Sequence, residues 1–124
     1  MRWYGCQHTI TRNKSKKLHI DYVEFSSPKL EETQTFFAKA FGWEFVDYGP
    51  DYRDIQGAGL GGGIERAPNV APIVILKSDH LEASLKTVLE AGAVLIKDIY
   101  SFPWGRRFEF REPGGTIMSV WQPV

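Results

Sequence analysis

Cysteine is almost missing from this 124-residue chain. Cys6 stands alone, so no disulfide can close within it and a cysteine-built zinc site has no ligand set. Histidine is scarce too. His8, His19 and His80 are scattered, with neither H-x-H nor H-x-x-x-H spacing, which is weak material for a metal centre. No apolar run approaches the roughly 18 residues that a membrane-spanning helix needs. The opening Met-Arg-Trp-Tyr-Gly-Cys-Gln-His lacks the apolar stretch of a secretory signal, so a reducing cytoplasm is the expected compartment. Net charge is also lacking, with 15 basic and 15 acidic side chains.

What is present suits one globular domain: 43% of residues are hydrophobic and 14% aromatic. The charge is unevenly spread. Residues 1–17 carry Arg2, Arg12, Lys14, Lys16 and Lys17 and no acid, while residues 18–124 hold 10 basic and 15 acidic side chains. An acidic body offers no electrostatic footprint for nucleic acid. The basic arm, 1–17, reads as an extension outside a single domain spanning 18–124.

From Leu18 the pattern becomes regular. Leu18–Phe25 alternates and predicts a strand, with Ile20, Tyr22 and Glu24 on one face and His19, Asp21, Val23 and Phe25 on the other. Ser26-Ser27-Pro28 supplies a turn and cap before a helix whose inner stripe holds Leu30, Thr33, Phe36, Phe37, Ala40 and Phe41, ended by Gly42. Short strands are predicted at Trp43–Tyr48, Tyr52–Ile55 and Leu60–Glu65. The second half repeats the plan: a strand at Ile73–Lys77, a cap at Ser78-Asp79, a helical stripe of Leu81, Leu85, Val88 and Leu89 stopped at Gly92, then strands at Ala93–Tyr100, Arg106–Arg111 and Thr116–Gln122. Tyr22 precedes Leu30 by the same interval that separates Ile73 from Leu81. Two βαβββ copies, repeat one at 18–66 and repeat two at 72–122, predict an α+β domain in which neither copy can cover its own sheet.

Two stretches resemble a known family. Leu30-Glu-Glu-Thr-Gln-Thr-Phe-Phe37 followed by Phe41-Gly-Trp-Glu-Phe45 is similar to the first helix and second strand of the glyoxalase/bleomycin-resistance/dioxygenase superfamily, the vicinal oxygen chelate proteins. Arg106–Gly115 and the strand Thr116-Ile-Met-Ser-Val-Trp121 are similar to its closing turn and last strand. The resemblance covers 18–123. It implies a curved, partly open mixed sheet with helices on the convex side, a pocket on the concave side, and a homodimer. Fold alone does not choose among the activities such a family hosts.

Enzymes of that family hold a divalent ion with His, Glu or Gln from the first and last strands of each repeat. Registered on the helices, the resemblance places those positions at Tyr22, Ile73, Ser119 and within Gly61–Gly63. None is a histidine or carboxylate, so no metal cofactor is expected. His19 and Asp21 form an H-x-D pair, but on the face that meets the helices. Gly57–Gly63 superficially matches a dinucleotide loop; without a following helix its glycines are better suited to close backbone approach.

Glu24 shares its face with Tyr22 and is the candidate catalytic acid or base, since a desolvated carboxylate is a better proton acceptor. It could equally pair with a cationic ligand, or with Arg106 or Arg107. Tyr48, Tyr52, Tyr100, Phe102, Trp104 and Trp121 are placed at a pocket mouth, with Tyr100–Gly105 read as a loop. The pocket is assigned to Tyr22, Glu24, Ile73, Ile75, Trp104, Arg107, Ser119 and Trp121. Aromatic walls and a carboxylate favour a neutral or cationic organic ligand. The leading expectation is a metal-independent binding dimer. The alternatives are a metal-dependent lyase, isomerase or dioxygenase with unusual ligands, and a non-catalytic interaction protein with a vestigial pocket.

Overall fold

A computed structural model describes residues 17–124. The basic arm up to Lys16, with Cys6 and His8, lies outside the described residues. The elements are β1 (His19–Ser27), α1 (Leu30–Phe41), β2 (Glu44–Asp47), β3 (Tyr52–Gln56), β4 (Gly61–Arg66), β5 (Ile73–Lys77), α2 (Leu81–Glu90), β6 (Val94–Phe102), β7 (Gly105–Arg111) and β8 (Ile117–Pro123). They form one open, eight-stranded mixed sheet in the order β2-β3-β4-β1-β5-β8-β7-β6. This is the expected α+β architecture of two βαβββ units. The order is a mirror about the antiparallel β1–β5 pair, and each of those strands runs parallel to the last strand of its own unit. Neither helix among the described residues is long and apolar enough to cross a membrane.

Alternation sorts each strand between two faces. On the helix side, Leu30 packs with Ile55 and Ile64, backed by Phe25, Phe37 and Trp43. Leu81 packs with Phe108, Phe110 and Val120, backed by Leu76, Leu85 and Val88. The helix entrances match as well. Ser27 Oγ accepts hydrogen bonds from the Lys29 amide (3.0 Å) and the Thr33 hydroxyl (2.7 Å). Ser78 Oγ accepts from the His80 amide (3.0 Å) and lies 2.7 Å from Ser84 Oγ. Backbone donors at a helix start are thereby satisfied twice by the same device. Gly42, at φ 74°, ends α1 in the left-handed conformation that glycine adopts without strain.

Three expectations change. Phe36 and Phe41 are not on the inner stripe of α1 but are 59% and 54% exposed, packed edge-to-face on each other at the helix surface. Asp21 does not join the helix face with Phe25, because a β-bulge between Ile20 and Tyr22 breaks the β1–β5 register there. A bulge turns one side chain away from simple alternation, and Asp21 Oδ2 instead accepts a 3.0 Å hydrogen bond from the Trp121 indole. Nor is Tyr100–Gly105 a loop. Tyr100, Ser101 and Phe102 pair with Arg107, Arg106 and Gly105, leaving Pro103-Trp104 as a tight turn. Aromatic side chains fit the pleated surface well enough to carry the strands to that turn.

Candidate functional site

The face away from the helices encloses a cavity of about 620 Å³. Tyr22, Glu24, Ile75, Trp104, Arg107 and Trp121, all assigned to the pocket from sequence, line it together with Tyr48, Tyr52, Asp54, Phe102 and Pro103. Ile73 and Ser119 are not in this lining. Ser119 is fully buried and donates its hydroxyl to the Phe108 carbonyl at 2.9 Å, so it belongs to the floor beneath. His19 and His80 are exposed.

One end of the cavity is polar. The Tyr22 and Tyr52 hydroxyls lie 2.7 Å apart; Tyr22 also reaches Asp54 Oδ1 and Tyr52 reaches Glu24 Oε2, both at 3.1 Å. Glycine makes this arrangement possible. A Cβ on Gly63 would overlap both hydroxyls, and one on Gly61 would press on the Tyr22 ring. The glycine run of β4 therefore accommodates two phenols. Glu24 pairs with Arg107 at 3.5 Å, each side chain only 11% exposed. Arg107 also meets Glu109 at 3.3 Å, and Tyr100 donates to Glu109 at 2.9 Å. Arg106 faces the other way, toward Glu82 on α2.

Burial holds Tyr22 and Tyr52 well above the ordinary phenol pKa of 10.0, with Asp54 and Glu24 adding to it. Both therefore remain protonated donors at neutral pH. Burial likewise raises Tyr100 against the opposing pull of Arg107, with the Glu109 contact adding to the rise. Arg107 pays a desolvation cost, but the surrounding Glu24, Tyr100 and Glu109 leave its pKa raised, so it stays a cation. Glu65, facing the same network from β4, is raised by burial and then by the Glu24 charge.

The other end is aromatic. Tyr48, after β2, meets Trp104 of the β6–β7 turn edge-to-face at 5.2 Å. Phe102 and Trp121 lie 6.1 Å apart. Besides Pro103 and Glu65, sequence reasoning missed two site residues, Asp54 and Glu109. Each sits two positions beyond a residue it did single out, Tyr52 and Arg107, so the alternation already in use contained the signal.

Similarity to solved structures bears on the fold. A Mn(II)-bound glyoxalase from Novosphingobium aromaticivorans superposes with a TM-score of 0.66 at 21% identity, over 83% of this chain. This chain spans 38% of that protein's length. Methylmalonyl-CoA epimerase from Mycobacterium tuberculosis gives 0.65 at 13% identity, covering 85% of this chain and 87% of its own. A hypothetical protein from Bacillus halodurans gives 0.72 at 8%, covering 88% and 96%. These likenesses show the fold: the chain is built like a glyoxalase and a methylmalonyl-CoA epimerase, as the resemblance in the sequence leads one to expect. No protein-family model and no curated protein sequence matches the chain.

The positions at which the sequence resemblance implies metal ligands can be tested on their chemistry. Ile73 offers hydrocarbon, the Ser119 hydroxyl is committed to a backbone carbonyl, and the space beside Gly63 is filled by phenols. Tyr22 supplies a neutral hydroxyl. A divalent ion needs three or four converging donors at about 2.0–2.2 Å. These residues do not fit one, and no group of three His, Cys, Asp or Glu side chains converges elsewhere among the described residues.

Proposed function

We propose that this chain binds a small neutral or cationic organic molecule in the concave cavity, without a metal ion, and works as a homodimer. The observation that carries the reading is the cavity itself: half-buried carboxylates and phenols at one end, aromatic walls at the other, with volume for a ligand of modest size. The positions that would hold an ion in the fold family carry side chains with other commitments. Glu24 is the group placed to meet a ligand's polar end, and Trp104 and Trp121 its flat face. The domain is proposed to span 18–124.

The test combines metal analysis with thermal shift across flat neutral and cationic organic compounds. The expected result is a melting temperature that rises with concentration of one compound class and is indifferent to chelator. Stoichiometric Zn, Ni, Fe or Mn, retained through purification and required for that stabilisation, would overturn it. Light scattering reads the dimer directly; a monomer at micromolar concentration would remove that part.

A further inference from the structure

Hydrogen atoms are in short supply at the polar end of the cavity. The series Asp54–Tyr22–Tyr52–Glu24 contains three oxygen–oxygen contacts, at 3.1, 2.7 and 3.1 Å. A phenol has one hydrogen to give. As carboxylates Asp54 and Glu24 only accept, so two phenols supply two hydrogens for three contacts, and whichever way they turn, one pair of oxygens faces lone pair to lone pair. An unsatisfied polar contact in a half-buried place is costly.

The neighbouring donors do not relieve it. Gln56 donates to the other oxygen of Asp54. Arg107 turns Nη1 toward Glu24 and Nη2 toward Glu109, and its Nε, a buried donor with no partner among the described residues, makes no bond to the series. Lys97 lies over the Tyr100 ring at 4.0 Å. Around this end Glu24, Asp54, Glu65 and Glu109 outnumber the two cations Arg107 and Lys97. The phenol–carboxylate series is short of a hydrogen and carboxylates exceed cations around it, while Glu24 Oε1 has no hydrogen-bond partner among the described residues.

We infer that the ligand of this cavity is a flat organic cation that donates N–H hydrogen bonds, of the aryl amidinium or guanidinium class. Its charged end sits on the Glu24–Tyr52–Tyr22–Asp54 series and its ring lies among Tyr48, Trp104 and Trp121. Planar N–H donors match carboxylate oxygens in direction as well as charge, and the aromatic walls accept a delocalised cation across their faces. This rests on the proposed binding function and narrows it from neutral or cationic compounds to N–H-donating cations.

The experiment is calorimetric titration of the full chain with four probes of similar size: benzamidine, phenyltrimethylammonium, benzyl alcohol and benzoate. Benzamidine should bind at least about tenfold tighter than phenyltrimethylammonium, which has the charge but no N–H group. Benzoate should bind weakest. Equal affinity for the two cations would overturn the missing-donor argument, and tighter benzoate would overturn the charge argument; in either case the cavity remains a binding site. If no probe binds, and Ile75→Trp blocks nothing that stabilises the chain in a wider panel, the binding function itself fails.

Asp54→Asn gives an arm that needs no ligand. The amide brings a donor to the Tyr22 oxygen, so all three contacts become hydrogen bonds within the protein. The variant should melt no lower than the unmutated chain and should lose most of the preference for benzamidine. A clearly lower melting temperature, or an unchanged preference, counts against the inference.

Discussion

The two βαβββ units are nearly the same molecule on one face of the sheet and different molecules on the other. On the helix side, Ser27, Leu30 and Thr33 of the first unit recur as Ser78, Leu81 and Ser84 of the second, with Leu30 and Leu81 both fully buried. On the cavity side the matching last strands diverge. β4 offers Gly61 and Gly63, which leave room for Tyr22 and Tyr52, whereas β8 offers Ser119 and Trp121. Packing a helix on a sheet poses the same physical problem twice and receives the same answer. The cavity instead has two unlike halves: one supplies phenols and Asp54 while the other supplies Arg107, Glu109 and the indoles.

The largest effects should fall where the units agree. Leu30→Ala and Leu81→Ala each remove a fully buried side chain, and each should cost about 2–5 kcal/mol in denaturant unfolding. The spread depends on how far the surroundings collapse into the space. If one cost were near zero, the two helices would not be equivalent supports and the comparison would break.

Gly63→Ala addresses the face where the units differ. The added methyl must displace two phenols that are each held by a carboxylate, at an expected cost of about 1–3 kcal/mol. Binding of any cavity ligand should fall with it, whereas the two leucine variants should lose stability first. A Gly63→Ala protein with unchanged stability and unchanged binding would show that the phenols do not need that space.

Much of this division was legible in the sequence. Alternation put Tyr22 and Glu24 together, helix spacing marked Leu30 and Leu81, and the equal Tyr22–Leu30 and Ile73–Leu81 intervals exposed the duplication. Asp21 was misplaced because a bulge adds one residue without any local sign in a run that otherwise alternates. Tyr100–Gly105 read as a loop because Pro and Gly are turn residues, yet the turn needs only Pro103-Trp104. The role of Gly63 was hidden for a different reason: the side chains that fill its space come from strands 11 and 41 residues earlier in the chain, and only the register brings them there.

Alkaline titration sharpens the same contrast. Tyr22 and Tyr52 in the first unit, and Tyr100 in the second, have folded pKa values above the ordinary 10.0. Their raised pKa favours the folded state fully below pH 10, and that contribution is lost as pH rises above it, where unfolded phenols release protons. One unit above pH 10 the loss is about 1.4 kcal/mol for each phenol still held neutral. Tyr22→Phe and Tyr52→Phe should each flatten the alkaline fall in stability, as Tyr100→Phe should on the other side. Phenolate absorbance checks it: complete tyrosine ionisation near pH 10 in the folded protein would contradict the burial of these hydroxyls.

The smallest effects return to the shared face. Ser27→Ala and Ser78→Ala each remove the oxygen that accepts an amide at the start of a helix, and a loss of about 1 kcal/mol is expected for each. The two should agree within the error of the measurement, since Thr33 and Ser84 are left with the same orphaned hydroxyl and the same route to another partner. Neither should alter binding in the cavity, because both serines serve the helices across the sheet from it. A Ser78→Ala protein that kept its stability but lost ligand affinity would mean that the helix face of the second unit reaches the site through the Ser78 amide's hydrogen bond to the Trp121 carbonyl. The two faces would then be coupled through β8 alone, and the first unit, whose Ser27 is joined by its carbonyl to the Ala67 amide, would not show the same behaviour.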